Sequence, residues 1–273
     1  MMERPSPTPE ILAYYERGLE RDRLRTGRGV LEFLRTQEIL RRVLPSATAR
    51  IADVGGGAGI HASCLARDGH AVTVVEPVEL HVQQARAASA DQPDRPFDAV
   101  LGDARRLPFA SSSCDAALLL GPLYHLPDRD HRIKALTEAK RIVRPGGLVV
   151  AAGITRFGTW LDALARDLLL DPEFRAIAEQ DLRDGQHRAV EDRWFTTSFF
   201  HRPEELVDEC REGGLKVVEF VAVEGPSWFL PDLPERLADP SRRDVVLEVV
   251  RAIEHEMSLM GASGHFIAVA VVE

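Results

Sequence analysis

The chain has 273 residues, 45% apolar and 28% charged, which is ordinary for a globular protein and enough for one large domain with additions. No apolar run approaches the roughly 20 residues of a membrane-spanning helix, and the polar opening MMERPSPTPE has no apolar leader, so a cytoplasmic protein with no membrane partner is expected. A net charge of −9 without a basic stripe disfavours nucleic acid as a partner, because an acidic chain repels phosphate backbones.

The first ten residues hold three prolines and read as a loose arm. EILAYYERGLERDRL, residues 10–24, then predicts a helix with Ile11, Leu12, Tyr15 and Leu19 on one face. VLEFLRTQEILRRVL, residues 30–44, predicts a second, stopped by Pro45. Residues 1–45 are therefore expected to form an N-terminal helical cap.

From Arg50 the texture changes. RIADV, AVTVVE, FDAVLGD, CDAALLLG and GLVVAAGI are short apolar runs separated by helix-compatible segments, the pattern of a parallel sheet covered on both faces. RPGG at 144–147 reads as a helix stop and a turn. Residues 157–201 break the rhythm: a long helical stretch is followed by the aromatic RWFTTSFFH, as in an inserted helical and aromatic substrate cap. Alternation resumes with a helix at 202–214, a strand at 215–224, a helical piece at 232–257 and a closing strand, HFIAVAVVE. The core is thus expected over 46–156 and 202–273. The three cysteines, Cys64, Cys114 and Cys210, lie far apart and outside any CxxC pattern, so buried reduced thiols are expected. HEM at 255–257 lacks the second histidine of HExxH, and no metal is implied.

The chemistry gathers at strand ends. ADVGGGAGIHA, residues 52–62, puts Gly55, Gly57 and Gly59 between a strand and a helix, where a ligand can reach the backbone. Ile60 stands where the last glycine of GxGxxG belongs, and no GK[ST] follows, so a pyrophosphate or P-loop site fits poorly. Asp53 beside the turn suits a cationic ligand. Glu76 ends the second strand in VVEP, where a carboxylate can accept both hydroxyls of a ribose. Asp103 closes the third, where an acid can take an adenine amine while the Ala104 amide meets a ring nitrogen.

This set, from ADVGGGAG through VVEP, GDARRLPF and CDAALLLGPLYHL to RIVRPGGLVV, resembles the class I S-adenosylmethionine-dependent methyltransferases of the bacterial small-molecule type. The resemblance covers residues 50–153, with the last two strands compatible. It implies an α/β, Rossmann-like seven-stranded sheet, six strands parallel and the last antiparallel, with helical N-terminal and inserted segments. It implies S-adenosylmethionine as cofactor and S-adenosylhomocysteine as product. Gly55, Gly57 and Gly59 would line the methionine portion beside Asp53, with Glu76 and Pro77 at the ribose and Asp103 and Ala104 at the adenine. Leu120 and Gly121 would offer backbone contacts.

In the loop GPLYHL, Gly121 replaces the Asp or Asn of amino-directed DNA methyltransferases, and no Pro-Cys nucleophile is present. His125 is the candidate general base, with Tyr124 orienting a ligand and His201, His255 and His265 weaker candidates. Arg35 and Gln37, on the second helix, are candidates for the cofactor's carboxylate. Tyr14, Tyr15, Trp160, Trp194, Phe195, Phe199, Trp228 and Phe229 gather in the non-core segments and suggest an aromatic or apolar acceptor. The reading is methyl transfer to an oxygen, nitrogen or carbon of a small metabolite such as an indole or phenol, in natural-product biosynthesis. A non-catalytic binder of the same cofactor and an NAD(P)-dependent oxidoreductase stay open as alternatives, as does the oligomeric state.

Overall fold

A computed structural model describes residues 9–188 and 194–273, without the side chains of Pro9 and residues 19–21. Most of the expected N-terminal arm, the Leu19 side chain and the start of the aromatic stretch lie outside the described residues. The helix expected over 10–24 is two pieces. Helix α1, Pro9–Glu16, ends at Gly18, whose φ of +70° breaks it, and a 3-10 turn follows over Leu19–Arg25. Helix α2, Gly29–Val43, matches its expectation closely.

Strand β1 (Arg50–Val54), helix α3 (Ile60–Arg67), strand β2 (Ala71–Glu76), helix α4 (Glu79–Ala90) and strand β3 (Asp98–Leu101) build one half of the sheet. Strand β4 (Cys114–Leu119), helix α5 (Arg129–Ile142) and strand β5 (Val143–Ile154) begin the other. Here RPGG is no free turn. It belongs to β5, and the irregularity appears as a register shift opposite Cys114–Ala116, with Gly146 at φ +76°.

The insertion folds as helix α6 (Gly158–Ala165), helix α7 (Pro172–Asp184) and a small antiparallel pair, β6 (Gln186–His187) with β7 (Ser198–Phe199). Asp171 starts α7 by accepting from the amides of Glu173 and Phe174, at 2.9 and 3.4 Å. Helix α8 (Pro203–Glu212) and strand β8 (Lys216–Ala222) return the chain to the sheet. The helical piece expected over 232–257 divides into α9 (Leu233–Ala238) and α10 (Pro240–Ile253), because Pro240 cannot continue a helix and Asp239 caps the next by accepting from Arg242 N at 3.0 Å. Strand β9, His265–Val271, closes the fold.

The sheet order is β3-β2-β1-β4-β5-β9-β8, parallel except for β9, which runs antiparallel to both its neighbours. Successive residues of a strand face opposite sides. Thus Leu118 packs with Ile51, Val74 and Val150 on one face, while Leu119 packs with Val54, Leu136 and Phe266 on the other. Burial on both faces explains the near-continuous apolar strands. Of the thiols, Cys114 and Cys210 are buried, whereas Cys64 is partly exposed on α3, against expectation; all three are free. No helix among the described residues is long and apolar enough to cross a membrane.

Candidate active site

The main cavity lies over the carboxyl edge of the parallel strands and reaches from Asp103, past the end of β3, to His265 at the start of β9. Those strands are five spacings apart, roughly 24 Å. At its centre the turn after β1 presses on the loop after β4. Gly55 has φ +69°, and a Cβ there would sit 3.0 Å from Pro122 Cδ; a Cβ on Gly121 would sit 2.9 Å from Gly55 O. Only glycine permits both the backbone conformation and the approach.

Asp53 lies beneath this turn, 1% exposed, with no hydrogen-bond partner for either carboxylate oxygen; the Ala62 amide offers only a marginal contact. Burial, then the charge of Glu76, raises its pKa from 3.8 to about 7. An unsatisfied carboxyl beside a cavity is costly unless a cation comes to it. Glu76 is better satisfied, accepting from Gly57 N at 3.0 Å and Val78 N at 3.2 Å, which aims both oxygens along the cavity wall beside Pro77. Each oxygen keeps a second lone pair for a ligand hydroxyl.

Asp103 and Ala104 also line the cavity. Asp103 is gripped by Arg105, whose Nε and Nη2 donate at 2.9 and 2.7 Å, so an adenine amine would share oxygens already bonded. Sequence reasoning overlooked Arg105, although its adjacency to Asp103 was the available signal.

The loop after β4 forms a 3-10 turn, Leu123–His125. The Tyr124 hydroxyl donates to Leu120 O at 3.2 Å. Leu120, Gly121, Tyr124 and His125 all face the cavity. The Tyr15 hydroxyl, from α1, is hydrogen-bonded to His125 Nε2. Burial lowers the His125 pKa to about 3, so its imidazole is neutral and a weak base.

Several expected site residues sit elsewhere. Arg35 is not at the cavity. It is 1% exposed and held by Glu38 and Glu254, with Nε donating to Val223 O at 3.3 Å. Gln37 bonds to His61 Nδ1 at 2.8 Å instead of lining the cavity. The helical phase is the reason: α2 turns Glu32 and Thr36, one turn apart, to the cavity and Arg35 away from it. Gly59 does not line the cavity either. It starts α3 at φ +80° and leaves room for the Phe97 ring, 2.9 Å from where a Cβ would be.

Of the eight aromatics, only Tyr15 lines the cavity. Trp160 and Trp194 pack in the insertion's own core around Phe174, with Trp160 Nε1 donating to Ala178 O at 2.8 Å. Trp228 donates to Ala262 O at 2.8 Å and packs on Phe229. Phe199 lies under the Arg132 guanidinium, 3.6 Å from the ring centroid. Tyr14 and Phe195 pack on each other behind Tyr15 and His125. These rings bury their segments, which a short insertion needs in order to hold together.

Among the weaker histidines, His201 is buried against Glu209 at 3.2 Å and His255 lies on the surface near Glu254. His265 starts a strand, as expected, but also lines the cavity and pairs with Glu224 at 2.6 Å. Asp128 caps α5 by accepting from His131 N at 3.1 Å.

Residues 52–151 match a family profile described as a methyltransferase domain. The match marks a methyltransferase domain over these residues, on a fold shared with solved S-adenosylmethionine-dependent methyltransferases. It is 37% identical to methyltransferase GfsG of Streptomyces halstedii over 134 residues, 48% of this chain and 46% of that one. It is 31% identical to demethylmenaquinone methyltransferase of Beutenbergia cavernae over 148 residues, 50% of this chain and 58% of that one. The chain thus spans about half the length of these curated relatives. A SAM-dependent methyltransferase from Methanosarcina mazei has the same fold, with a TM-score of 0.58 at 16% identity, over 85% of this chain and 96% of that one. Within the methyltransferase sheet the glycine turn, Glu76 and Asp103 stand at three successive strand ends, and the β4 loop completes the cleft.

Proposed function

We propose that the chain transfers a methyl group from S-adenosylmethionine to a small, largely apolar metabolite, of the kind met in natural-product biosynthesis. The observation that carries this reading is Asp53. Its buried, unpartnered carboxyl beneath the glycine turn asks for a cation, and the cofactor's ammonium group supplies one. Glu76 takes the ribose hydroxyls, Asp103 and Ala104 the adenine, and the backbone of Leu120 and Gly121 faces the methionine portion. When bound, S-adenosylmethionine supplies a methyl carbon activated by a sulfonium. The protein's task is then alignment and exclusion of water, worth at best about 7–11 kcal/mol of barrier.

The low basicity of His125 supports a positioning role for it and Tyr124, with Tyr15 closing the cleft, and not removal of a proton. A relative named as a demethylmenaquinone methyltransferase supports the acceptor class. Calorimetric titration tests the reading. S-adenosylhomocysteine should bind at micromolar concentration and NADH should not. Glu76→Ala should lose about 1–3 kcal/mol of that affinity. Binding of NADH alone would transfer the site to a reductase, and unchanged affinity in Glu76→Ala would remove the ribose assignment.

A further inference from the structure

The cofactor residues occupy the β3 to β4 part of the cleft. The part over β5 and β9 holds a different chemistry. Arg23 from the 3-10 turn after α1, Glu32 from α2 and His265 from β9 all line it. Arg23 grips Glu32 with both guanidinium nitrogens, Nη2 to Oε1 at 2.9 Å. His265 Nδ1 lies 3.8 Å from Glu32 and 2.6 Å from Glu224. Glu224 also accepts from Ser263 Oγ at 3.0 Å and His265 N at 2.8 Å and does not line the cavity. Among the described residues, His61 on α3 completes the charged or titratable groups facing Glu32. The surrounding wall is apolar: Leu24, Val223 and Ile267.

We propose that Glu32 is the specificity-determining residue for the methyl acceptor and accepts a hydrogen bond from a hydroxyl group on a neutral, otherwise apolar molecule. This rests on the reading of the cleft as a methyltransferase site. The choice of a hydroxyl follows from the charges. Burial opposes the His265 charge, but Glu32 and Glu224 outweigh it and raise its pKa to about 9. Burial likewise opposes ionised Glu32, but Arg23 and His265 outweigh it and bring the pKa to about 2. Two cations therefore alternate with two carboxylates. An ammonium group would meet Arg23 and protonated His265, and a carboxylate would meet Glu32. A neutral donor meets no repulsion and can use the lone pairs that Arg23 leaves open on a carboxylate whose side chain is 15% exposed. The ligand atoms of Glu32, Glu224 and His265 come within 4.8 Å of one another, but the two cations already balance the carboxylates, which leaves little for a metal ion to neutralise. No proton transfer is assigned to Glu32.

The test uses ligand-observed NMR on the full chain saturated with S-adenosylhomocysteine. The probes share one skeleton: 4-ethylphenol and 2-phenylethanol, phenethylammonium and 3-phenylpropionate. The hydroxyl members should bind best, and Glu32→Gln should weaken them by about 10- to 100-fold while the ammonium and carboxylate members change little. Affinity for S-adenosylhomocysteine should stay within about twofold. Glu32→Asp keeps the charge beside Arg23 but withdraws the oxygens, so it should lose the hydroxyl preference even if Glu32→Gln folds poorly. Preference for a charged probe, equal binding in both variants, or no binding of any probe overturns the proposal while leaving the cofactor reading intact. Failure of the wild-type chain to bind S-adenosylhomocysteine overturns both.

Discussion

Asp53 shows how far one residue can be read. Its position before the glycines was visible in the sequence, but its lack of hydrogen-bond partners was not, because that depends on how the turn folds over it. Its pKa is raised from 3.8 to about 7, so between those values the folded ligand-free protein holds a proton that the unfolded chain has released. Its contribution to stability is therefore present below 3.8 and lost as pH rises through about 7. Asp53→Asn should flatten that part of the pH–stability curve in denaturant melts. A cation bound at Asp53 favours the ionised form, so binding S-adenosylhomocysteine near pH 6.5 should release part of a proton. The binding enthalpy should then vary with the ionisation enthalpy of the buffer, and Asp53→Asn should abolish that variation. A buffer-independent enthalpy in the wild-type chain would place the cofactor's ammonium elsewhere.

At the scale of elements, α1 and the cap depend on a few contacts. Helix α1 has only eight residues, too short to be stable alone, and holds its place through Ile11 and the Tyr15–His125 hydrogen bond. Tyr15→Phe should therefore speed amide exchange across residues 9–16 by about 2- to 10-fold, the value of one hydrogen bond, while β1 and β4 keep their protection. Unchanged exchange would mean that packing alone seats the helix. Element boundaries were legible where a residue forbids continuation, as at Pro45. They were missed at Gly18, inside a run whose periodicity looked continuous, and at Asp239, although Pro240 carried the same signal as Pro45.

For the whole molecule, long-range ion pairs join the N-terminal part of the chain to its C-terminal part. Arg35 of α2 meets Glu254 beyond α10, and Arg42 meets Glu254 and Glu219, each at 2.6 Å. Arg35→Ala removes one of the two arginines on buried Glu254 and leaves Arg42 in place, so it should cost about 1–3 kcal/mol in urea melts. The folded fraction should still bind S-adenosylhomocysteine normally. A large loss of affinity without a loss of stability would restore Arg35 to the cofactor site.

The sequence by itself determined the sheet, its order of strands and helices, and three strand-end positions, Asp53, Glu76 and Asp103. These are local signals: burial on both faces makes a strand apolar throughout, and a ligand at a strand end needs a particular residue there. Tertiary structure alone decided which face of α2 meets the cleft, and so chose Glu32 and Thr36 over Arg35. It also decided that the cap's aromatics, Tyr15 apart, bury the cap and do not line the cavity, and that His265 stands between two carboxylates contributed by distant segments. A helix's phase and a side chain's charged neighbours depend on what packs against it, and no short stretch of sequence contains that.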